Sequence, residues 1–336
     1  MNLIKTTRQV KALGLCSGGL DSMLAALILK DQGIDVIWIS FETPFFDAKA
    51  AKKAAEQIGI PLIVKDITDD YMEMMKAPKA GFGKNMNPCM DCHTLMFAKA
   101  GLMMAELGAD FLFSGEVVGQ RPKSQTKNSL RYVEKNSGFD GLILRPLSAG
   151  LLPETIAEQK GLVDRSRLLS ISGRGRKPQV ALAKEYGITK YPSPAGGCLL
   201  TDKGYSQRLR DLLYIQKTKD KTQLHLLKHG RHFRLDSRAK LVVGRNKAEN
   251  KRIMNLYDPD THIRLRSTHL PGPDALVFGS TDETTLHLAA TITAGYTKAP
   301  AGSLTAISIF EKQETRQIEV TSPESGAFHD LLIQAP

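Results

Sequence analysis

Six consecutive residues, Ser17-Gly18-Gly19-Leu20-Asp21-Ser22, constrain this chain more than any others. They follow a short apolar run over residues 11–16 and precede Met23, Leu24, Leu27 and Ile28, which recur at helical spacing. The order reads as strand, tight glycine turn, helix. Such a turn aims backbone N–H groups from a helix N-terminus, whose partial positive charge favours phosphate. The Gly-Lys-Ser/Thr ending of a Walker motif is missing. The plainer alternative is a glycine turn with a serine cap.

Residues 34–41, 61–66 and 109–114 read as further strands, and 47–59 and 98–107 as helices. Strands alternating with helices imply a parallel sheet covered on both faces. Ligands of such sheets sit beyond the carboxyl ends of the strands, where the Ser17 loop and Ser114-Gly115-Glu116 belong. After Pro146 comes a loop-rich stretch containing Ser172-Gly-Arg-Gly-Arg-Lys-Pro178, a helix over 179–186, and an irregular turn over 191–197 directly before Cys198. A helix from Tyr205 to about Gln216 leads into a second region, with its clearest strands at 241–243, 275–278 and 304–310. The chain of 336 residues suits about two domains, read as 1–212 and 218–336. The fold class is α/β: a Rossmann-like parallel-sheet domain followed by a smaller α+β domain.

No apolar run approaches the roughly 20 residues of a membrane helix, and no secretory signal is read at the N-terminus. A cytoplasmic location, without a membrane partner, is expected. The four cysteines (Cys16, Cys89, Cys92, Cys198) are too few for a disulfide scaffold, which leaves chemistry or metal binding. Residues 160–272 hold 25 Lys plus Arg against 9 Asp plus Glu, whereas the remainder is net negative. That asymmetry suits a polyanionic partner or a solvated basic face.

Cys89-Met90-Asp91-Cys92 spaces two thiols to face one metal or form one disulfide. With His93 it also spells a haem-attachment string, which a chain without an export signal does not favour. Asn87-Pro88 suggests an exposed helix start, where the dipole lowers a thiol pKa. Cys198 adds a third thiol; closing a zinc site would need His93 as well. Three cysteines suit a [4Fe-4S] cluster with one open iron, or a pair of sulfur-handling thiols plus a third. Asp91 is read as a solvated aspartate before a proton acceptor.

The Ser17 to Ser22 run resembles the signature of the PP-loop ATP pyrophosphatases, an adenine nucleotide alpha hydrolase-like fold. The resemblance implies cleavage of ATP between its alpha and beta phosphates, with Ser17, Gly18, Gly19, Asp21 and Ser22 on the phosphates. It further implies Asp21 on Mg2+, Gly115 in the site, and the adenine near Phe41. Cys92, Ser114-Gly115-Glu116-Val-Val-Gly119-Gln120, Ser124-Gln125-Thr126 and Leu144-Arg145-Pro146-Leu147 are similar to the 4-thiouridine synthetases. Asn87-Pro88-Cys89-Met-Asp-Cys92, with a later cysteine at 198, is similar to the tRNA 2-thiouridylases.

This likeness covers about residues 11–200 and implies a tRNA sulfurtransferase using Asp21, Cys89, Cys92 and Cys198. Sulfur would come as sulfide, on a [4Fe-4S] cluster held by Cys89, Cys92 and Cys198, or as persulfide relayed from a cysteine desulfurase. Cys198 would then be the carrier and Cys92 the resolving thiol. No THUMP segment is read before residue 11 and no rhodanese-like segment at the end.

Residues 228–280 carry Lys228-His-Gly-Arg-His-Phe-Arg-Leu235, Val243-Gly-Arg-Asn246 and His269-Leu-Pro-Gly-Pro273, which resemble the NFACT-R (DUF814) RNA-binding domain. The resemblance implies phosphate contacts by Arg231, Arg234, Arg245, Lys247, Arg264 and Arg266. Two rival readings are a PP-loop ligase or amidotransferase acting on a small molecule, and a non-catalytic RNA-binding protein. The first leaves the basic half unexplained, and the second does not account for the intact Ser17 to Ser22 run.

Overall fold

Apolar strands alternate with helices through the first part of the chain, and a parallel sheet results. The structure, a computed structural model, describes residues 8–193, 198–279, 281–324 and 326–334. The chain divides into two compact units, Met1–Cys198 and Leu199–Pro336.

The first unit runs β1 (Lys11–Leu15), α1 (Leu20–Asp31), β2 (Asp35–Glu42), α2 (Lys49–Ile58), β3 (Leu62–Asp66), α3 (Thr68–Lys76), α4 (Cys89–Leu107), β4 (Phe111–Ser114), α5 (Lys127–Ser137), β5 (Ile143–Leu144), α6 (Ile156–Gln159) and α7 (Lys177–Glu185). Its five strands pair in the order β3-β2-β1-β4-β5 and are all parallel. The order reverses between β1 and β4, so the crevice lies beyond their carboxyl ends. The Ser17 and Gly115 loops leave from those two ends. Helix α1 is buried along nearly its whole length, through Leu20, Met23, Leu24, Ala25, Ala26, Ile28 and Leu29. Such a helix is apolar all round because it lies between the sheet and other helices. Gly14 in β1 allows the Phe113 ring of β4 to cross it, at 2.2 Å from where a Cβ would stand.

The second unit runs α8 (Lys203–Arg210), α9 (Lys221–Leu226), β6 (Arg231–Arg234), β7 (Ala239–Val243), α10 (Lys247–Met254), β8 (Ile263–Ser267), β9 (Asp274–Gly279), α11 (Glu283–Ala294), β10 (Leu304–Glu311) and β11 (Glu314–Thr321). Its six strands pair antiparallel in the order β11-β10-β8-β9-β7-β6. Helix α11 buries Leu286, Ala289, Ala290 and Ile292 in one core with Leu241, Leu265, Val277 and Ile307 from the strands.

The units part after Cys198, earlier than the expected 212. The reason is local: Asp211 pairs with Arg234 and Arg208 donates to the carbonyl of Gly230, tying α8 and the π-turn after it to the second unit. Helices α3, α5, α6, α9, α10 and α11 and strands β5, β6, β8 and β11 were not among the expected elements. Residues 194–197, within the expected irregular turn, lie outside the described residues. Among the described residues no helix is long and apolar enough to cross a membrane.

Candidate active site and basic cavity

After β1 the chain turns over its own cysteine. The Gly18 amide donates to the Cys16 sulfur at 3.3 Å, and burial pushes that thiol up to about 11. Cys16 is therefore a protonated filler of the turn. Gly18 has φ 75, and a Cβ there would stand 2.2 Å from the Ala50 carbonyl carbon in α2. Helix α1 starts at Gly19 with no side-chain cap. Ser22 donates instead to the Gly19 carbonyl at 2.7 Å, and exposed Ser17 accepts from the Gly19 amide at 3.4 Å. No serine cap is built, so the helix N-terminus stays open to an anion.

Asp21 stands at that open end. Its Oδ2 accepts from Gln120 at 2.8 Å, whereas its Oδ1 is buried without a partner. Burial raises its pKa, opposed by Gln120, Arg176, Arg121 and Gln179. Gln120 Oε1, Arg176 Nε and both amide atoms of Gln179 are likewise buried without a partner, and Gln179 is 0 % exposed. Each such atom costs about 1–3 kcal/mol. Several gathered around one carboxylate make a site shaped for a polar ligand. The donor chemistry fits Mg2+, to which Asp21 Oδ1 would supply one hard oxygen.

Arg176 belongs to the Gly-Arg-rich stretch and Gln179 to the first turn of α7 that follows it; the stretch is seated firmly. Gly173 donates to the Val118 carbonyl at 2.8 Å. Ser148, fully buried, accepts from Val118 at 3.0 Å and donates to the Ile171 carbonyl at 2.7 Å.

Gly115 packs on the start of α1; a Cβ there would lie 2.4 Å from both the Asp21 carbonyl carbon and the Ser22 nitrogen. The next residue, Glu116, bonds His93 at 2.7 Å and accepts from Arg145 at 3.0 Å and Ser114 at 3.1 Å. Burial alone would raise this carboxyl, but Arg145 and His93 outweigh it and hold it at about 2. Arg145, 1 % exposed, continues the network to Glu134 in α5. His93 thus fastens the cysteine helix to the Gly115 loop through its Nδ1.

The helix start at Cys89 is covered, not exposed as expected. Asn87 is buried and donates to the Cys89 sulfur at 3.3 Å. Cys92 is partly buried, and its thiol is pushed up to about 12 by burial and by the fields of Cys198, Cys89 and Asp91, with the Tyr71 hydroxyl opposing. The dipole does not prevail here. Tyr71, 1 % exposed, packs against the Phe45 and Phe46 rings. Cys198 is exposed.

All three thiols act on Tyr71, so they face one region. Among the described residues, however, no three Cys, His, Asp or Glu side chains are placed to hold a metal ion. The described residues thus give a [4Fe-4S] cluster no positive support. Asp91 is not a solvated aspartate: it is buried and accepts from the Ala80 amide at 2.8 Å and from Tyr132 at 3.5 Å. Phe41 is 4 % exposed, which leaves little of its ring for an adenine.

In the second unit, Arg231, Arg245, Lys247 and Arg266 line one cavity of about 600 Å³ together with Lys251 and Tyr296. The other two expected contacts are paired with carboxylates: Arg234 with Asp211, and Arg264 with Asp274, which itself lines the cavity. Arg245 reaches the cavity paired with Glu249.

Residues 7–159 match the family described as "Thiamine biosynthesis protein (ThiI)". Residues 230–329 match the "NFACT protein RNA binding domain". The tRNA-specific 2-thiouridylase MnmA of Enterococcus faecalis (strain ATCC 700802 / V583) is 28% identical over 217 residues, covering 60% of this chain and 55% of that protein. MnmA 2 of Thermoanaerobacter sp. (strain X514) is 32% identical over 218 residues, covering 58% and 56%. The chain thus spans about half the length of the curated relatives it matches. A solved 4-thiouridine synthetase–RNA complex with bound ATP overlaps 55% of this chain and 54% of its own, at 19% identity and a TM-score of 0.33.

The first unit brings together Ser17, Gly18, Gly19, Asp21, Ser22 and Gly115. Sequence reasoning gave no role to Gln120, Arg176 and Gln179, the last two of which lie beyond the matched ThiI segment. Their only sequence signal was a Gly-Arg-rich run beside a helix start, which reads equally as a surface loop.

Proposed function

We propose that this protein is an ATP-dependent tRNA thiouridine synthase acting in the cytoplasm. The carrying observation is the unpartnered Asp21 carboxylate oxygen at an uncapped helix start, joined through Gly115 and Glu116 to the cysteine helix. ATP lies with its phosphates on Ser17 to Ser22 and its leaving pyrophosphate toward Arg176 and Gln179. A uridine carbonyl oxygen attacks the alpha phosphorus, the bond to the beta phosphate breaks, and pyrophosphate departs. Bound Mg2+ would neutralise phosphate charge beside Asp21.

The adenylated carbon then takes sulfur and releases AMP. Exposed Cys198 carries the sulfur as a persulfide supplied by an external donor. Its terminal sulfur bonds to the base; Cys92 then attacks the Cys198 sulfur, leaving thiouridine and a Cys92–Cys198 disulfide that an external thiol reduces. Burial holds Cys92 as a thiol at rest, which guards against early disulfide formation, while the Tyr71 hydroxyl favours the thiolate when it is needed.

The test is thiolation of transcribed tRNA with ATP and either sulfide or a persulfide donor, after anaerobic purification with iron and sulfide analysis. A colourless protein active with persulfide supports the thiol route. Stoichiometric iron, with activity on sulfide alone, would replace it by the cluster route on Cys89, Cys92 and Cys198. Unmodified tRNA under both regimes would overturn the assignment.

A further inference from the structure

Two cavities adjoin in the second unit. The first, already described, contains the free cations Lys247, Lys251, Arg231 and Arg266, none of which has a carboxylate partner among the described residues. The second, about 520 Å³, is lined by Arg266, Thr268, His269, Pro271, Ser308 and Phe310. Arg266 and Pro271 line both.

Each cavity also has one aromatic side chain that is not fully buried. In the first, Tyr296 is 37 % exposed, with the Arg231 guanidinium at 4.6 Å over its ring. In the second, Phe310 has Arg264 at 5.2 Å over its ring. Resting on these rings, each guanidinium is held in place before any ligand arrives. Concave sites of roughly 300–1,000 Å³ take small ligands, and each of these has room for one nucleotide.

We propose that this unit holds single-stranded RNA, with two successive nucleotides in the two cavities and the phosphate between them on Arg266. The inference rests on reading this unit as RNA-binding and goes beyond it by naming the form of RNA. A duplex keeps its bases stacked inside and presents a convex backbone, so it cannot place a base in a cavity. A single strand can turn its bases out against Tyr296 and Phe310 while its phosphates meet the free cations. A flat basic face would have served a duplex equally well; a pair of pockets sharing one arginine does not.

The full-length chain is titrated with a labelled single-stranded RNA of about ten nucleotides and with the same strand annealed to its complement. The single strand is expected to bind at least ~10-fold tighter. Arg266→Ala should weaken it about tenfold and reduce the salt slope by about one. Tyr296→Leu and Phe310→Leu should each cost at least about fivefold. Arg266→Lys preserves charge and guards against misfolding as the cause; it should recover part of the loss. Equal binding of duplex and single strand, or an Arg266→Ala chain that binds as before, overturns the proposal and leaves RNA binding standing. Failure to bind RNA in any form overturns both.

Discussion

The backbone of Gly115 lies against that of Asp21, so close that a Cβ on the glycine would stand 2.4 Å from the aspartate's carbonyl carbon. The turn after β4 and the start of α1 therefore share one surface at the crevice between β1 and β4. Only a residue without a side chain fits there. Gly115→Ala must push Asp21 off its position, and misplacing a catalytic group by about 1 Å costs on the order of 100-fold. Pyrophosphate release should fall by that order while the circular dichroism spectrum is kept. A variant with full activity would show that the two loops are not coupled.

Gln179 makes a separate prediction because it is fully buried with both amide atoms unpartnered. Gln179→Leu removes the cost of that burial, about 1–3 kcal/mol, at similar volume. Without nucleotide the variant should melt at or above the wild-type temperature. The upward shift that ATP and Mg2+ produce should shrink, and KM for ATP should rise. An unchanged ATP-induced shift would remove Gln179 from the nucleotide site.

The cysteines divide the two half-reactions. Cys198→Ser should still release pyrophosphate in the presence of tRNA yet form no thiouridine. Cys92→Ser should stall one step later, with tRNA joined to Cys198 through a disulfide that a non-reducing gel resolves. Iodoacetamide should alkylate exposed Cys198 well before Cys92, whose thiol sits near 12. Loss of pyrophosphate release in Cys198→Ser would contradict this division.

Glu116 sets a pH dependence. Its carboxyl is held at about 2, below the ordinary 4.5, so the unfolded chain binds its proton first as pH falls. The stability it contributes is fully present above 4.5 and is lost as pH drops toward about 2. Glu116→Gln should lower the melting temperature at neutral pH, where Arg145 loses one of its two counter-charges, and flatten the acid limb. A variant with the wild-type acid limb would assign that limb to other carboxylates.

The parallel sheet and its loop could be read from the sequence because their signals are local: apolar runs, a glycine turn, helical spacing. Gly115 was legible for the same reason. The roles of Arg176 and Gln179 were not, since what matters is how a distant segment folds back beside Val118, a relation no periodicity encodes. The raised pKa of Cys92 was not legible because the covering residues Met86 and Asn87, which bury the helix start, carry no burial signal in sequence. Of the six cations expected on phosphate, Arg234 and Arg264 were lost to Asp211 and Asp274, partners far away or across a hairpin. Strand β11 carries no apolar face because nearly all of it is exposed, and β8 alternates over only 5 residues, too short a run to stand out.

The central claim is that the Asp21 site cleaves ATP between its alpha and beta phosphates in response to RNA. The direct measurement is product analysis with ATP labelled at the alpha phosphate, with and without tRNA, for the native chain and Asp21→Asn. The account predicts AMP and pyrophosphate formed only with tRNA, in step with thiouridine, and neither product from Asp21→Asn. ADP and phosphate as products, or AMP formation indifferent to tRNA, would contradict it.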